Sequence, residues 1–173
     1  MEMQALKQVL QENGIVGAGG AGFPTYAKLD ERAEVILMNC AECEPLLKLH
    51  RQLLEQRAEE ILRTFDGIAR TVGAQEAVIG IKREYKAAVK AIETYIDAYP
   101  NMRIQLLDRV YPMGDEVVLI YEATGRLIRP GGLPIEEGVA VFNVPPVYNA
   151  YRALERQPPV FDKLVSGVGQ VER

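Results

Sequence analysis

Two short unbroken apolar runs, "VILMN" at 35–39 and "AVIGIK" at 77–82, stand on either side of one long amphipathic segment, and this arrangement constrains the fold more than any other feature. A continuous apolar run of such length is the form of a strand buried on both faces. Between the two, Leu54, Ala58, Ile61, Leu62, Phe65 and Ile68 recur at three- and four-residue steps, which predicts a helix over 47–72 that Gly73 ends. Ala87, Ala88, Ala91, Ile92, Tyr95 and Ile96 mark the face of a second helix, and "RIQLL" from Arg103 a third strand. Strand, helix, strand, helix, strand predicts an α/β protein: a Rossmann-like three-layer sandwich with a mostly parallel sheet and right-handed crossovers.

The flanking segments fit that frame. Leu6, Val9 and Leu10 give an opening helix a buried face, with Gly14 placed as its left-handed cap. After the third strand, a helix opens near Asp115 and closes at Gly125. A turn-rich "RPGGLPIEEG", a strand in "VAVFNV" and a helix in "VYNAYRALERQ" follow, the last stopped by Pro158 and Pro159. Residues 1–160 read as one ligand-binding domain, and 161–173 as a tail or the start of a following domain, because no finished element lies there.

Charge narrows the functions available. The formal net charge of −4, from 24 acids and 20 bases scattered along the chain, argues against nucleic acid as a partner. No apolar run approaches the roughly 18 residues that span a bilayer, so no direct membrane insertion and a cytoplasmic location are expected. The two cysteines, Cys40 and Cys43, form no secreted disulfide framework.

Chemistry concentrates in two places. Gly17, Gly19 and Gly22 fit a G-x-G-x-x-G spacing, in which missing side chains let backbone N–H groups approach a phosphate. The same spacing also suits a simple turn or a close packing contact, because the strand that a Rossmann fingerprint needs before it is barely formed by Ile15 and Val16. Lys28 follows, a cation within reach of an anionic ligand or an ordinary surface lysine. The second cluster is "NCAECEP", 39–45, at the C-terminal end of the first buried strand, where ligands collect in open α/β sheets. A Cys-x-x-Cys redox pair is one reading, but Glu42 and Glu44 raise a neighbouring thiol pKa where a reactive cysteine needs it lowered. Two cysteines and the distant His50 also fall short of the about four ligands of structural zinc, so no metal site is expected.

Taken in order, "GAGGAGFPTYAKL", "VILMNCAECEPLLKLHRQLL", "YPMGDEVVLIYEATGR", "GGLP" and "GVAVFNV" resemble the flavin-binding domain shared by the NADH-oxidising subunit of respiratory complex I and the C subunit of the Rnf electron-transport complex. The resemblance is nearest the Rnf-type branch, which includes the cobalamin reductase of propanediol-utilisation compartments. It implies noncovalent FMN, NADH as hydride donor, and single-electron transfer to an iron–sulfur partner subunit or to following domains, at the periphery of a membrane complex or inside a microcompartment. Residue by residue it implies that Gly17, Gly19, Gly20 and Lys28 lie against the cofactor. Asn39, Glu42 and Cys43 would hydrogen-bond the ring and ribityl chain; Tyr111, Gly114 and Asp115 would lie beside the flavin, and Asn143 near its phosphate. Phe23, Glu44 and Glu116 would serve the dinucleotide. Since the flavin carries the chemistry, no catalytic side chain is expected.

Departures from that pattern matter as well. Ala18 and Ala41 replace a basic and an acidic residue of complex I-type members, and Pro145-Pro146 removes two backbone donors and a hydroxyl near the phosphate. With two cysteines the chain is not expected to bind its own iron–sulfur cluster. A non-catalytic assembly module with a weakened flavin site stands as the alternative.

Overall fold

In the computed structural model, the residues described are 1–17, 22–44, 46–158, 165, 167, 169 and 170. The elements run α1 (Met3–Glu12), β1 (Val35–Cys40), α2 (Leu49–Val72), β2 (Glu76–Lys82), α3 (Lys86–Glu93), β3 (Met102–Leu107), α4 (Glu116–Thr124), β4 (Val139–Asn143) and α5 (Val144–Leu154), with one-turn 3-10 segments at Thr25–Lys28, Ile96–Ala98 and Pro134–Glu137. The four strands form one sheet in the order β3-β2-β1-β4, and every pairing is parallel. The expected α/β sandwich is what forms.

Alternation along β1 divides the core in two. Ile36, Met38 and Cys40 point to a cluster that buries Leu6 and Leu10 of α1, Ile61 and Phe65 of α2 and Ile92 of α3. Val35 and Leu37 point the other way, to a smaller cluster with Leu119, Ile120 and Ala123 of α4. Successive strand residues face opposite sides of a sheet, so a run that is apolar throughout needs helices on both. The two sides are unequally covered: among the described residues, α1, α2, α3 and α5 pack on the first and α4 alone on the second. Beside α4, a cleft forms along edge strand β4, whose Val139 and Val141 are buried in this second cluster.

Boundaries follow local chemistry. Gly14, Gly73 and Gly125 stand just past the ends of α1, α2 and α4 with φ of +61°, +78° and +72°, the left-handed conformation that ends a helix without a Cβ penalty. Helix α2 is interrupted at Arg57, where φ is −139°. The second predicted helix ends at Glu93, and Ile96 belongs to a separate 3-10 turn. The last helix starts at Val144, earlier than the motif suggests, and takes both prolines into its first turn. Proline is tolerated there because first-turn N–H groups have no intrahelical acceptor.

Candidate functional site

Strand order places the site. From β1 the chain moves to β2 and β3 on one side, then returns to β4 on the other, so the reversal lies between β1 and β4. Ligands of open α/β sheets bind in the crevice outside the strand ends at such a point. Asn39 and Asn143 are register partners across it.

The residues on either side of the glycine segment are joined to each other. Val16 pairs antiparallel with Pro24, the Gly17 N–H donates to the Phe23 carbonyl at 2.8 Å, and the Thr25 N–H to Ile15 at 3.0 Å. Gly19 and Gly20 lie outside the described residues. The segment follows a helix and leads into a 3-10 turn, so it is not the strand–loop–helix of a Rossmann fingerprint. That turn ends on Lys28, whose Nζ donates to the Val141 carbonyl of β4 at 2.6 Å and sits 5.7 Å from the centre of the Phe23 ring. Burial lowers the Lys28 pKa, and Glu116 partly opposes the shift. Phe23, Lys28, Glu116, Leu133, Val139 and Val141 line a cleft of about 430 Å³. Apolar walls with a few converging polar groups, at a volume between about 300 and 1,000 Å³, describe a small-molecule site.

Behind the cleft, two loops are pinned to each other. Asn39 Nδ2 donates to the Gly114 carbonyl at 2.9 Å, and Asn39 Oδ1 accepts from the Ala41 N–H at 3.0 Å. The Gly114 N–H donates to Cys43 Sγ at 3.0 Å. A Cβ on Gly114 would collide with the Ala41 carbonyl oxygen and stand 2.9 Å from Cys43 Sγ. Asn39, Cys43 and Gly114 thus meet as one unit joining the end of β1 to the entry of α4. Asp115 is the N-cap of α4 and accepts from the Val117 and Val118 N–H groups at 3.0 and 3.2 Å. Tyr111 and Glu44 are exposed.

Glu42 is placed differently from a residue that faces a ligand. Its side chain is 3% exposed, Oε1 accepts from the His50 N–H at 3.0 Å, and Oε2 lies 3.9 Å from Arg51 Nε with no hydrogen-bond partner. Its backbone carbonyl accepts from Lys82 Nζ at 2.5 Å. Lys82, buried at the end of β2, is the residue that motif reading missed. A lysine closing an otherwise apolar strand beside an acidic strand end is the signal that marks it. The Arg51 guanidinium lies 4.5 Å over the Tyr85 ring and completes the cluster.

One thiol and one imidazole respond to this environment. Cys40 is fully buried, and burial, then Glu42, pushes its pKa well up, against a dithiol role for the free cysteines. Burial holds the His50 imidazole below its ordinary value of 6.5, opposed by Glu42, and its Nδ1 has no partner. The unfolded chain then takes up the proton first, so the stability His50 contributes is complete above 6.5 and declines as pH falls below it. Urea midpoints measured between about pH 7.5 and 5 are expected to fall, and His50→Gln to flatten part of that slope.

Asn143 is the N-cap of α5, yet its side chain makes no capping bond. A capping side chain accepts from the N–H of the second or third helical residue, and here those are Pro145 and Pro146. The carboxamide is left free for another partner. Asn143→Ala is accordingly expected to cost well under the ~1 kcal/mol of an ordinary lost cap, which the urea midpoint of the variant checks.

Residues 10–152 match the family model described as the Nuo51 FMN-binding domain. The chain is 40% identical over 172 residues to cobalamin reductase PduS of Citrobacter freundii, covering 99% of this chain and 38% of that protein. It is 34% identical over 148 residues to the C subunit of the Na(+)-translocating ferredoxin:NAD(+) oxidoreductase complex of Acetobacterium woodii, covering 83% of this chain and 33% of the relative. Among solved structures, the NAD+-reducing [NiFe]-hydrogenase in its H2-reduced state aligns with a TM-score of 0.75 at 26% identity, over 89% of this chain and 31% of the hydrogenase chain. The chain therefore spans less than two-fifths of the length of these relatives.

Proposed function

Because the chain belongs to the Nuo51 FMN-binding domain family, we propose that it is the flavin-holding part of an NADH-dependent oxidoreductase, taking hydride from NADH and releasing electrons singly to an iron–sulfur partner or further domains. The observation that carries this reading is the cleft along edge strand β4, in which Lys28, Phe23 and Glu116 meet; the pinned Asn39–Gly114–Cys43 unit sits at the entry of α4, two residues before Glu116.

The residues present fit a flat ring. Val139, Val141 and Leu133 supply apolar wall, and Lys28 places one cation at the edge. FMN, when bound, supplies the conversion of a two-electron hydride to single electrons. Lys28 offers a donor beside the ring, oriented by its bond to Val141. Asn39 and Cys43 act by fixing the Gly114 loop, and with it the start of α4 from which Glu116 reaches the cleft; orientation of this kind lowers a hydride-transfer barrier without any side chain reacting. Phe23, half-exposed, presents a face on which a nicotinamide or adenine ring can pack, and Glu116 and Glu44 offer acceptors for ribose hydroxyls. Glu42 acts indirectly, by holding the 41–44 backbone. No helix among the described residues is long and apolar enough to cross a membrane, which suits a peripheral place in a larger assembly.

The test is the visible spectrum of the chain after incubation with FMN and desalting, followed by NADH under anaerobic conditions. Retained flavin bands that bleach support the proposal. Flavin that does not bleach removes NADH as donor, and no retained flavin favours the assembly-module reading, to which the two prolines at α5 also point.

A further inference from the structure

Helix N-termini are the usual place for a ligand phosphate, because free N–H groups and the helix dipole both favour negative charge. Around the β1–β4 crevice, among the described residues, each of these helix starts has first-turn N–H groups taken or missing. At α2 the first-turn His50 N–H is taken by the Glu42 carboxylate. At α4 the Asp115 carboxylate takes the Val117 and Val118 N–H groups, and Glu116 adds a second acid in the same turn. At α5 the first turn reads Val144-Pro145-Pro146, so two of its N–H groups do not exist, and all three residues are buried. Helix α3 opens after β2, on the far side of β1 from the crevice. Of the two cations that line the cleft, Arg32 is paired with Asp30 at 2.7 Å, and Lys28 gives one of its three donors to the Val141 carbonyl, which orients it toward the ring.

A phosphate dianion carried to these positions meets a carboxylate of its own sign, or a helix start that has lost two of its N–H donors. The flat ring and the ribityl chain meet no such obstacle: the cleft wall is apolar, and the Asn143 carboxamide, left without a capping partner, is free for a ribityl hydroxyl. Resting on the flavin-binding reading above, we infer that this site recognises the ring and ribityl chain and does not read the 5′-phosphate, so that riboflavin is accepted as well as FMN. The specificity-determining residues are Pro145 and Pro146, with Glu42 and Asp115 excluding the anion from the neighbouring helices.

The experiment is a pair of fluorescence-quenching titrations of the 173-residue chain, one with riboflavin and one with FMN, each at low and at high salt. The expected result is two dissociation constants within about threefold of each other, with a ratio that salt leaves unchanged, since a phosphate contact would be screened. FMN binding tenfold or more tighter than riboflavin, through N–H groups of the 18–21 segment or any other donor, overturns the inference and leaves the flavin-binding function standing. Binding of neither flavin defeats both. In the double variant P145S/P146S the two N–H groups return, and FMN is expected to gain about tenfold or more over riboflavin, the scale of a hydrogen bond to a charged group. A folded double variant with no such gain overturns the assignment of specificity to the prolines.

Discussion

Gly114→Ala is expected to cost the fold about 3 kcal/mol, at the upper end of ordinary overpacking, and to weaken flavin binding by an order of magnitude or more. The obstacle is backbone. A Cβ at this position runs into the carbonyl oxygen of Ala41, the residue that follows the central strand β1, and stands 2.9 Å from Cys43 Sγ. Side-chain ends move cheaply, but a backbone carbonyl next to a central strand does not. Relief must come from the loop that carries Gly114, and its retreat breaks the bonds from Asn39 and to Cys43 together. Urea unfolding and FMN titration of the variant measure both consequences. The double variant Gly114→Ala with Cys43→Ala removes the thiol contact and leaves the carbonyl, so it is expected to remain destabilised. A variant with unchanged urea midpoint would show that the two loops are not held at this distance.

The central elements are legible because their residues answer to one requirement. Strands β1 and β2 are buried on both faces, so an unbroken apolar run identifies them, and α4 is delimited by an acidic cap and a left-handed glycine. The sequence pattern starts α5 too late, because prolines look like breakers until a preceding strand feeds directly into the helix and makes its first turn the place where they fit. At the site, "NCAECEP" falls at the strand end as expected, but the direction of each side chain is not readable from the pattern. Asn39 and Cys43 contact Gly114, which is more than 70 residues away in sequence, with separations of 75 and 71. Glu42 resembles a ligand residue and is a buried partner of α2, since the backbone turn after β1 sends it inward. Lys82 escapes notice because its partner is a backbone carbonyl, which no residue pattern reveals.

Lys82→Met is expected to lower stability by about 1.5–3 kcal/mol, the range for a hydrogen bond to a charged group, and to impair flavin binding beyond that loss. Methionine keeps most of the aliphatic stem, so the change isolates the ammonium. Without it, the Glu42 carbonyl loses its donor in a place where Lys82 and Glu42 are each only 8% exposed. The Glu42 carboxylate would also lose the nearby positive charge, keeping only the His50 N–H and an Arg51 Nε at 3.9 Å, while Oε2 is already unpartnered. Leaving a buried acceptor and a buried carboxylate undercompensated costs more than desolvating one lysine gains, because the partner remains after its charge is removed. The loop has an easy escape: turning Glu42 outward to water satisfies the acid and moves Ala41 and Cys43, both of which Gly114 meets along with Asn39. For that reason the binding defect should exceed the stability defect, and Lys82→Arg, which keeps charge and donors, should recover part of both. Equal urea midpoints for wild type and Lys82→Met, within about 0.5 kcal/mol, would mean that the lysine is a passive strand residue and that the 41–44 loop is held by Asn39 and Gly114 alone.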